Sequence, residues 1–146
     1  MKMRIAVHLC LAVCAVSAAP SFGAGPASGP DPCALIDKAA MAALFGELKE
    51  GPKPDTGLRQ ERQCGYTNMA GSWLKLSVYG KDRWEWEKGM ANEPRDIAGL
   101  GDEAFVTKRG TDSVVYVRKG ESILEVSCSC SREEAEKVAR KAAPKI

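Results

Sequence analysis

The amino-acid sequence predicts an α+β domain: an antiparallel sheet of about five strands with helices packed on one face. Three observations predict it. Leu74, Leu76 and Val78 alternate with Lys75 and Ser77, and Leu124, Val126 and Cys128 recur at the same spacing, the side-chain period of a strand with one buried face. Ala135, Val138, Ala139 and Ala142 instead follow the i, i+3, i+4, i+7 stripe of a helix. The last three strand-like runs are separated by short Gly-containing turns, as antiparallel neighbours are.

Taken in order, Ala24 to Pro30 is Gly, Pro, Ala and Ser, the composition of a flexible leader, and 25–30 is assigned to it. Order begins at Asp31-Pro32, because Asp caps a helix start and Pro suits its first position. Asp37 caps a second short helix through Phe45, with Met41, Leu44 and Phe45 turned inward and Gly46 as its stop. Glu50 to Gln60, with two prolines and two glycines, reads as a loop. Gln63 to Asn68 and Trp73 to Tyr79 read as strands about the turn at Ala70-Gly71. Asp82 to Ala91 reads as a helix and Pro94 to Gly101 as a loop. Three strands follow, Glu103 to Lys108, Ser113 to Arg118 and Ser122 to Cys128. Ser131 caps the last helix, Glu134 completes a capping box, and Pro144 ends it. Leu74-Lys75-Leu76-Ser77 and Leu124-Glu125-Val126-Ser127 echo one another, and a charged helix follows each, the pattern of a duplicated hairpin–helix unit.

The 146 residues fit one domain, placed at 31–146. Before it, Lys2 and Arg4 precede an apolar run from Ile5 to Ala19 and a small-residue exit at Pro20 to Ala24. Those are the three parts of a secretory signal peptide, assigned to residues 1–24 with cleavage between about Ala18 and Ala24. The apolar run is roughly 15 residues, short of the ~20 that span a bilayer, and no later segment is apolar enough to do so. The chain is therefore expected to be exported, periplasmic or secreted. Acylation of Cys14 as a lipoprotein is disfavoured, because Val13 stands where a small residue is expected. Cleavage removes two of the 21 basic residues and no acid, so 19 bases face 19 acids, without the basic excess of a nucleic-acid binder. It also removes His8, the one histidine, and with it Ser-His-Asp or Cys-His catalysis and the usual zinc sites.

Cys10 and Cys14 lie in the signal segment, leaving Cys33, Cys64, Cys128 and Cys130, an even number that in an exported chain reads as disulfides. Three pairings are open. Two residues apart on a strand, Cys128 and Cys130 would have Cα atoms roughly 6.5 Å apart, too far for a bond without a turn or bulge. Pairing of each to Cys33 or Cys64 is easier if those lie near the strand's end.

Three motifs carry a resemblance: Asp31-Pro32-Cys33-Ala34-Leu35-Ile36, Cys64-Gly65-Tyr66 and Gly99-Leu100-Gly101-Asp102-Glu103-Ala104. In order and spacing they resemble a family of small exported bacterial lipoproteins of unknown function, abundant in actinobacteria. The resemblance implies a Cys33–Cys64 bridge, which leaves Cys128 and Cys130 to each other. It implies no catalytic activity.

Two sets of residues are candidates for function. Trp84 and Trp86, with Trp73 and Tyr79, could line a groove for a sugar, lipid or peptide, aromatics combining large area with a polar tip. On a helix, residues 84 and 86 point about 200° apart, so one of them is expected to pack and the other to be exposed. Cys128-Ser129-Cys130 precedes a helix N-terminus, where the dipole lowers a thiol pKa, and could be a redox dithiol or a Cu(I) site. The competing reading is two structural half-cystines. Asp102 and Glu103 read as a solvated turn. The expected function is an extracytoplasmic, non-enzymatic binding or accessory protein for an envelope protein or small ligand, without cofactor, resident metal, nucleic acid or membrane span. The alternative is a thiol–disulfide or copper-handling protein using Cys128 and Cys130.

Overall fold

The computed structural model describes residues 29–58 and 61–146. The signal segment, His8, Cys10, Cys14 and the leader up to residue 28 lie outside the described residues. The rest is α+β, with seven antiparallel strands and three α-helices. The strands are β1 (Leu48–Thr56), β2 (Arg62–Asn68), β3 (Trp73–Gly80), β4 (Asn92–Asp96), β5 (Glu103–Arg109), β6 (Asp112–Lys119) and β7 (Ser122–Cys128), in sheet order β1-β2-β3-β7-β6-β5-β4. The helices are α1 (Lys38–Phe45), α2 (Trp84–Met90) and α3 (Arg132–Ala142).

The helix starts are made as the side chains dictate. Asp31 accepts from the Cys33 N–H at 2.9 Å and opens a 3₁₀ turn at Pro32–Ala34. Asp37 accepts from Ala40 N–H at 2.8 Å, and that bond holds its carboxyl below the usual carboxylate range. The Ser131–Glu134 capping box is closed in both directions, at 2.9 and 3.2 Å. Ala135, Val138, Ala139 and Ala142 are all buried.

Two expected loops are strands. Glu50 to Thr56, part of the predicted loop, belongs to β1, and Pro94 to Asp96 belongs to β4, which raises the count from about five to seven. Both are sheet edges. An edge strand pairs on one side only, so prolines such as Pro52, Pro54 and Pro94 can sit where a donor would face solvent.

The helices do not share one face. Leu74, Leu76, Val78, Leu124, Val126 and Cys128 pack with Met41 and Phe45 of α1 and with the α3 stripe, forming the larger core. The opposite parity, Tyr79, Phe105, Val114, Tyr116 and Ile123, packs with Trp84 of α2. Strand order explains the difference: from β3 the chain must reach the far edge at β4, and α2 lies on the connection that crosses the sheet. This also corrects the duplicated-unit expectation. The echoing strands β3 and β7 do pair, Leu76 opposite Val126. A two-fold axis exchanging two antiparallel neighbours stands perpendicular to the sheet and keeps each face in place, whereas α2 and α3 lie on opposite faces.

Two disulfides are present. Cys33–Cys64 joins the first 3₁₀ turn to β2, with a Cα separation of 5.1 Å. Cys128 is bonded to Cys130, also with Cα atoms 5.1 Å apart. The straight-strand geometry does not apply, because β7 ends at Cys128 and the chain bends through Ser129 and Cys130. Among the described residues no helix is long and apolar enough to cross a membrane.

Candidate ligand-binding cleft

On the α2 face, the strands supply side chains row by row. One row runs Gln63, Ser77, Glu125, Tyr116, Phe105 across β2, β3, β7, β6 and β5. The next runs Gly65, Lys75, Ser127, Val114, Thr107. The first row is aromatic towards β5 and β6, through Phe105 and Tyr116 of the cluster that includes Trp84, and the second passes from Val114 to the buried Thr107; towards β2 and β3 both are polar or without a side chain, and no helix covers them. The uncovered part is the floor of an open cleft of about 640 Å³, with α2 as one wall and the end of β1 through Leu58 as the other. That volume lies within the ~300–1,000 Å³ range of small-molecule sites.

A closed circuit of side chains ties the α2 wall to this floor. The Tyr79 hydroxyl lies 3.1 Å from Glu125 Oε2 and 3.4 Å from Glu87 Oε1, with one proton to share between them. Glu125 Oε1 accepts from Arg109 Nη1 at 3.2 Å and from Ser127 Oγ at 2.7 Å. Arg109 Nη2 donates to the Tyr116 hydroxyl, which in turn donates to Glu87 Oε2 at 2.9 Å. Arg83 pairs with Glu87 and lays its guanidinium over the Tyr79 ring, 4.2 Å from the centroid. Glu87 is only 4% exposed, so its charge depends on these partners. Burial, then the charges of Glu125 and Glu87, pushes the Tyr79 hydroxyl far above its usual pKa. Tyr116 is raised by burial and by Glu125, against the opposing pull of Arg109. Both phenols therefore remain protonated donors throughout the neutral range.

The rim is apolar. Among the described residues five large apolar side chains are exposed, and four of them, Leu58, Trp73, Trp86 and Met90, line this cleft. The four predicted groove residues are thus divided. Trp73 (37% exposed) and Trp86 (48%) stand on the rim, whereas Trp84 (3%) and Tyr79 (5%) are withdrawn into the cluster beneath α2. The divergence of residues 84 and 86 along the helix holds. Trp84 meets Phe105 edge-on at 5.3 Å and donates its Nε1–H to Glu103 at 3.0 Å.

Sequence reasoning missed Lys75, Glu87, Arg109 and Glu125: Lys75 and Glu125 fell in predicted strands, Glu87 in a predicted helix, and Arg109 just past a predicted strand that ended at Lys108. Their signal was present in the residues that alternate with the core. Lys75, Ser77, Glu125 and Ser127 are polar, while β6 is apolar on both faces through Val114 to Val117. A sheet whose second face changes from apolar to polar part-way across is only partly covered.

The other candidates lie elsewhere. Asp102 accepts from the Gly120 N–H at 2.7 Å and so serves a turn, whereas Glu103 opens β5 and pairs across the strands with Arg118 at 2.8 Å. Gly99 and Gly101 have φ of 67° and 62°, the left-handed conformations that glycine adopts without strain. Cys128 is buried and Cys130 half-buried. The bend between them is fixed by Ser129, whose N–H donates to the Trp73 carbonyl at 3.1 Å and whose Oγ accepts from Trp73 N–H at 3.0 Å. Among the described residues no three His, Cys, Asp or Glu side chains are grouped to hold a metal ion.

No protein-family profile and no curated protein matches the chain. Among solved structures, the chain is similar to the crystal structure of a GTP binding regulator from Thermotoga maritima. The two are 16% identical, with 67% of this chain and 76% of that one covered at a TM-score of 0.46, a likeness too distant to carry an argument.

Proposed function

We propose that this chain is an exported, non-enzymatic binding protein whose ligand is a small molecule seated in the cleft on the α2 face. The observation that carries the reading is the concentration of exposed apolar side chains, Leu58, Trp73, Trp86 and Met90, around one polar-floored depression. Scattered apolar residues are ordinary on a surface; a contiguous set around a concavity marks a binding site. Glu87 and Glu125 are each engaged by two side-chain donors of their own and share the proton of Tyr79, which suits a scaffold rather than an acid–base pair. Export is supported by the basic start and apolar run at the N-terminus, the resemblance to exported lipoproteins and the two disulfides. The test is ligand-observed NMR with a mixed set of aromatic, sugar and short-peptide fragments. Binding is expected in the wild type and lost in Trp73→Ala/Trp86→Ala; binding that survives the double substitution rejects the cleft.

A second reading has its own observation. The Cys128–Cys130 bond closes a loop with one residue between its ends, in a segment already held by Ser129 and the α3 cap, so it ties no two elements together. A bond of so little structural use fits a thiol–disulfide couple, or in its reduced form a Cu(I) dithiolate. Incubation of the folded protein with a graded glutathione buffer, followed by thiol labelling and mass spectrometry, decides it. Selective reduction of this pair before Cys33–Cys64 supports the couple. Equal resistance of both bonds removes it.

A further inference from the structure

We infer that the ligand of this cleft is a monocarboxylate with an apolar aryl or alkyl body, its carboxylate held by Lys75. The inference rests on the small-molecule reading above and adds the chemistry of the ligand. Among the described residues four cations line the cleft: Lys75, Arg83, Lys108 and Arg109. Arg83 is matched by Glu87 and Arg109 by Glu125. Lys108 Nζ is held by the Ser113 hydroxyl at 2.9 Å and the Thr111 carbonyl. Among the described residues Lys75 is the lining cation with neither an ion pair nor a hydrogen bond.

Its position is central. Lys75 is half-buried in the middle of β3, between Gly65 of β2 and Ser127 of β7. Gly65 presents no side chain, and with Trp73 and Lys75 it lines a second, adjoining depression over β2, so Lys75 stands where the two meet. Trp73 and Ser77, two residues away on either side along the same face of β3, also line the cleft. A half-buried ammonium without a partner favours an incoming anion, and a hydrogen bond between charged groups is about twice as strong as a neutral one.

Among the described lining residues Lys75 is the one cation not already engaged, which suits an anion of one unit. Asp55, Glu61, Glu87 and Glu125 also line the cleft, so a second negative charge would meet carboxylates rather than a free cation. The rim decides the remainder. Leu58, Trp73, Trp86 and Met90 offer apolar area to the body of the ligand, as flat or chain-like as an aryl or alkyl group.

Calorimetric titration of the oxidised protein with 2-naphthoate and octanoate, each beside its uncharged primary amide, tests the assignment. An acid is expected to bind about tenfold or more tightly than its amide, as a charge-assisted bond requires. The preference should disappear in Lys75→Met, persist in Lys75→Arg and weaken with salt. The wild-type salt dependence needs no variant, and circular dichroism verifies that both variants are folded. Equal affinity of acid and amide, or a preference unchanged in folded Lys75→Met, overturns the carboxylate assignment and leaves the cleft reading standing. No binding of any of the four probes, together with no fragment binding in the NMR screen, overturns both.

Discussion

Glu87 shows what one residue does here. A carboxylate so deeply buried persists only with partners, and it has Arg83, Tyr116 and Tyr79. Glu87→Leu removes the charge and leaves a guanidinium and a phenol without their acceptor. We expect a loss of about 2–4 kcal/mol, read from urea unfolding, with Glu87→Gln losing less. The tyrosines give a pH signature. Tyr66, Tyr79 and Tyr116, all three in the chain, have pKa values raised above 10.0, each chiefly by burial. A phenol whose folded pKa exceeds its unfolded value contributes stability in full below about pH 10, and that contribution falls as pH climbs toward the folded value. The fall should approach about 1.4 kcal/mol per pH unit for each of Tyr79 and Tyr116, whose shifts are large. Tyrosinate absorbance at alkaline pH should therefore rise with the unfolding transition; a simple titration near 10 in the folded protein would contradict the burial.

Among the elements, those legible in the sequence are the ones whose pattern is set locally. α3 was legible because its cap, its stripe and its terminator are all nearby in the chain. Ser131→Ala should cost about 1 kcal/mol. Glu134 is held below its usual pKa by the Ser131 backbone N–H, so its contribution is present at neutral pH and lost in acid as pH falls through the folded value. The stability difference between wild type and Glu134→Gln, measured by urea unfolding, should accordingly shrink in acid. β1 and β4 were not legible, because Pro and Gly suppress the strand signal and only tertiary pairing to β2 and β5 restores it. The face taken by α2 was equally hidden. No residue between 82 and 91 records that β4 lies at the far edge, and that distance is what sends the chain across the sheet. Of the four predicted groove residues Trp73 and Trp86 stand on the cleft rim, Trp86 through its divergence from Trp84 along the helix and Trp73 as an aromatic at a strand end. The floor was not legible, since Lys75 and Glu125 are 50 positions apart and become near neighbours only through the pairing of β3 with β7.

For the whole molecule, the two disulfides differ in reach. Cys33–Cys64 spans 31 residues and fixes the N-terminal turn to the sheet, whereas Cys128–Cys130 spans two. Chain entropy assigns the longer bridge about 3–4 kcal/mol and the shorter one less than half of that. Guanidinium unfolding of Cys33→Ala/Cys64→Ala and of Cys128→Ala/Cys130→Ala should show this ratio; equal losses would mean that the short bridge has a structural duty the geometry does not reveal. The sheet order has a kinetic consequence as well. β1 to β3 form one meander and β4 to β7 another, each from local contacts, and the seam between them is β3 against β7. Local meanders close quickly; a seam joining strands about 50 residues apart has the larger loop entropy to overcome and forms later. The cleft floor straddles that seam, so neither half of the chain contains the whole of it. A nascent or half-folded chain lacks the complete cleft, so on the proposed reading a ligand can be seated only once the two halves have zipped together.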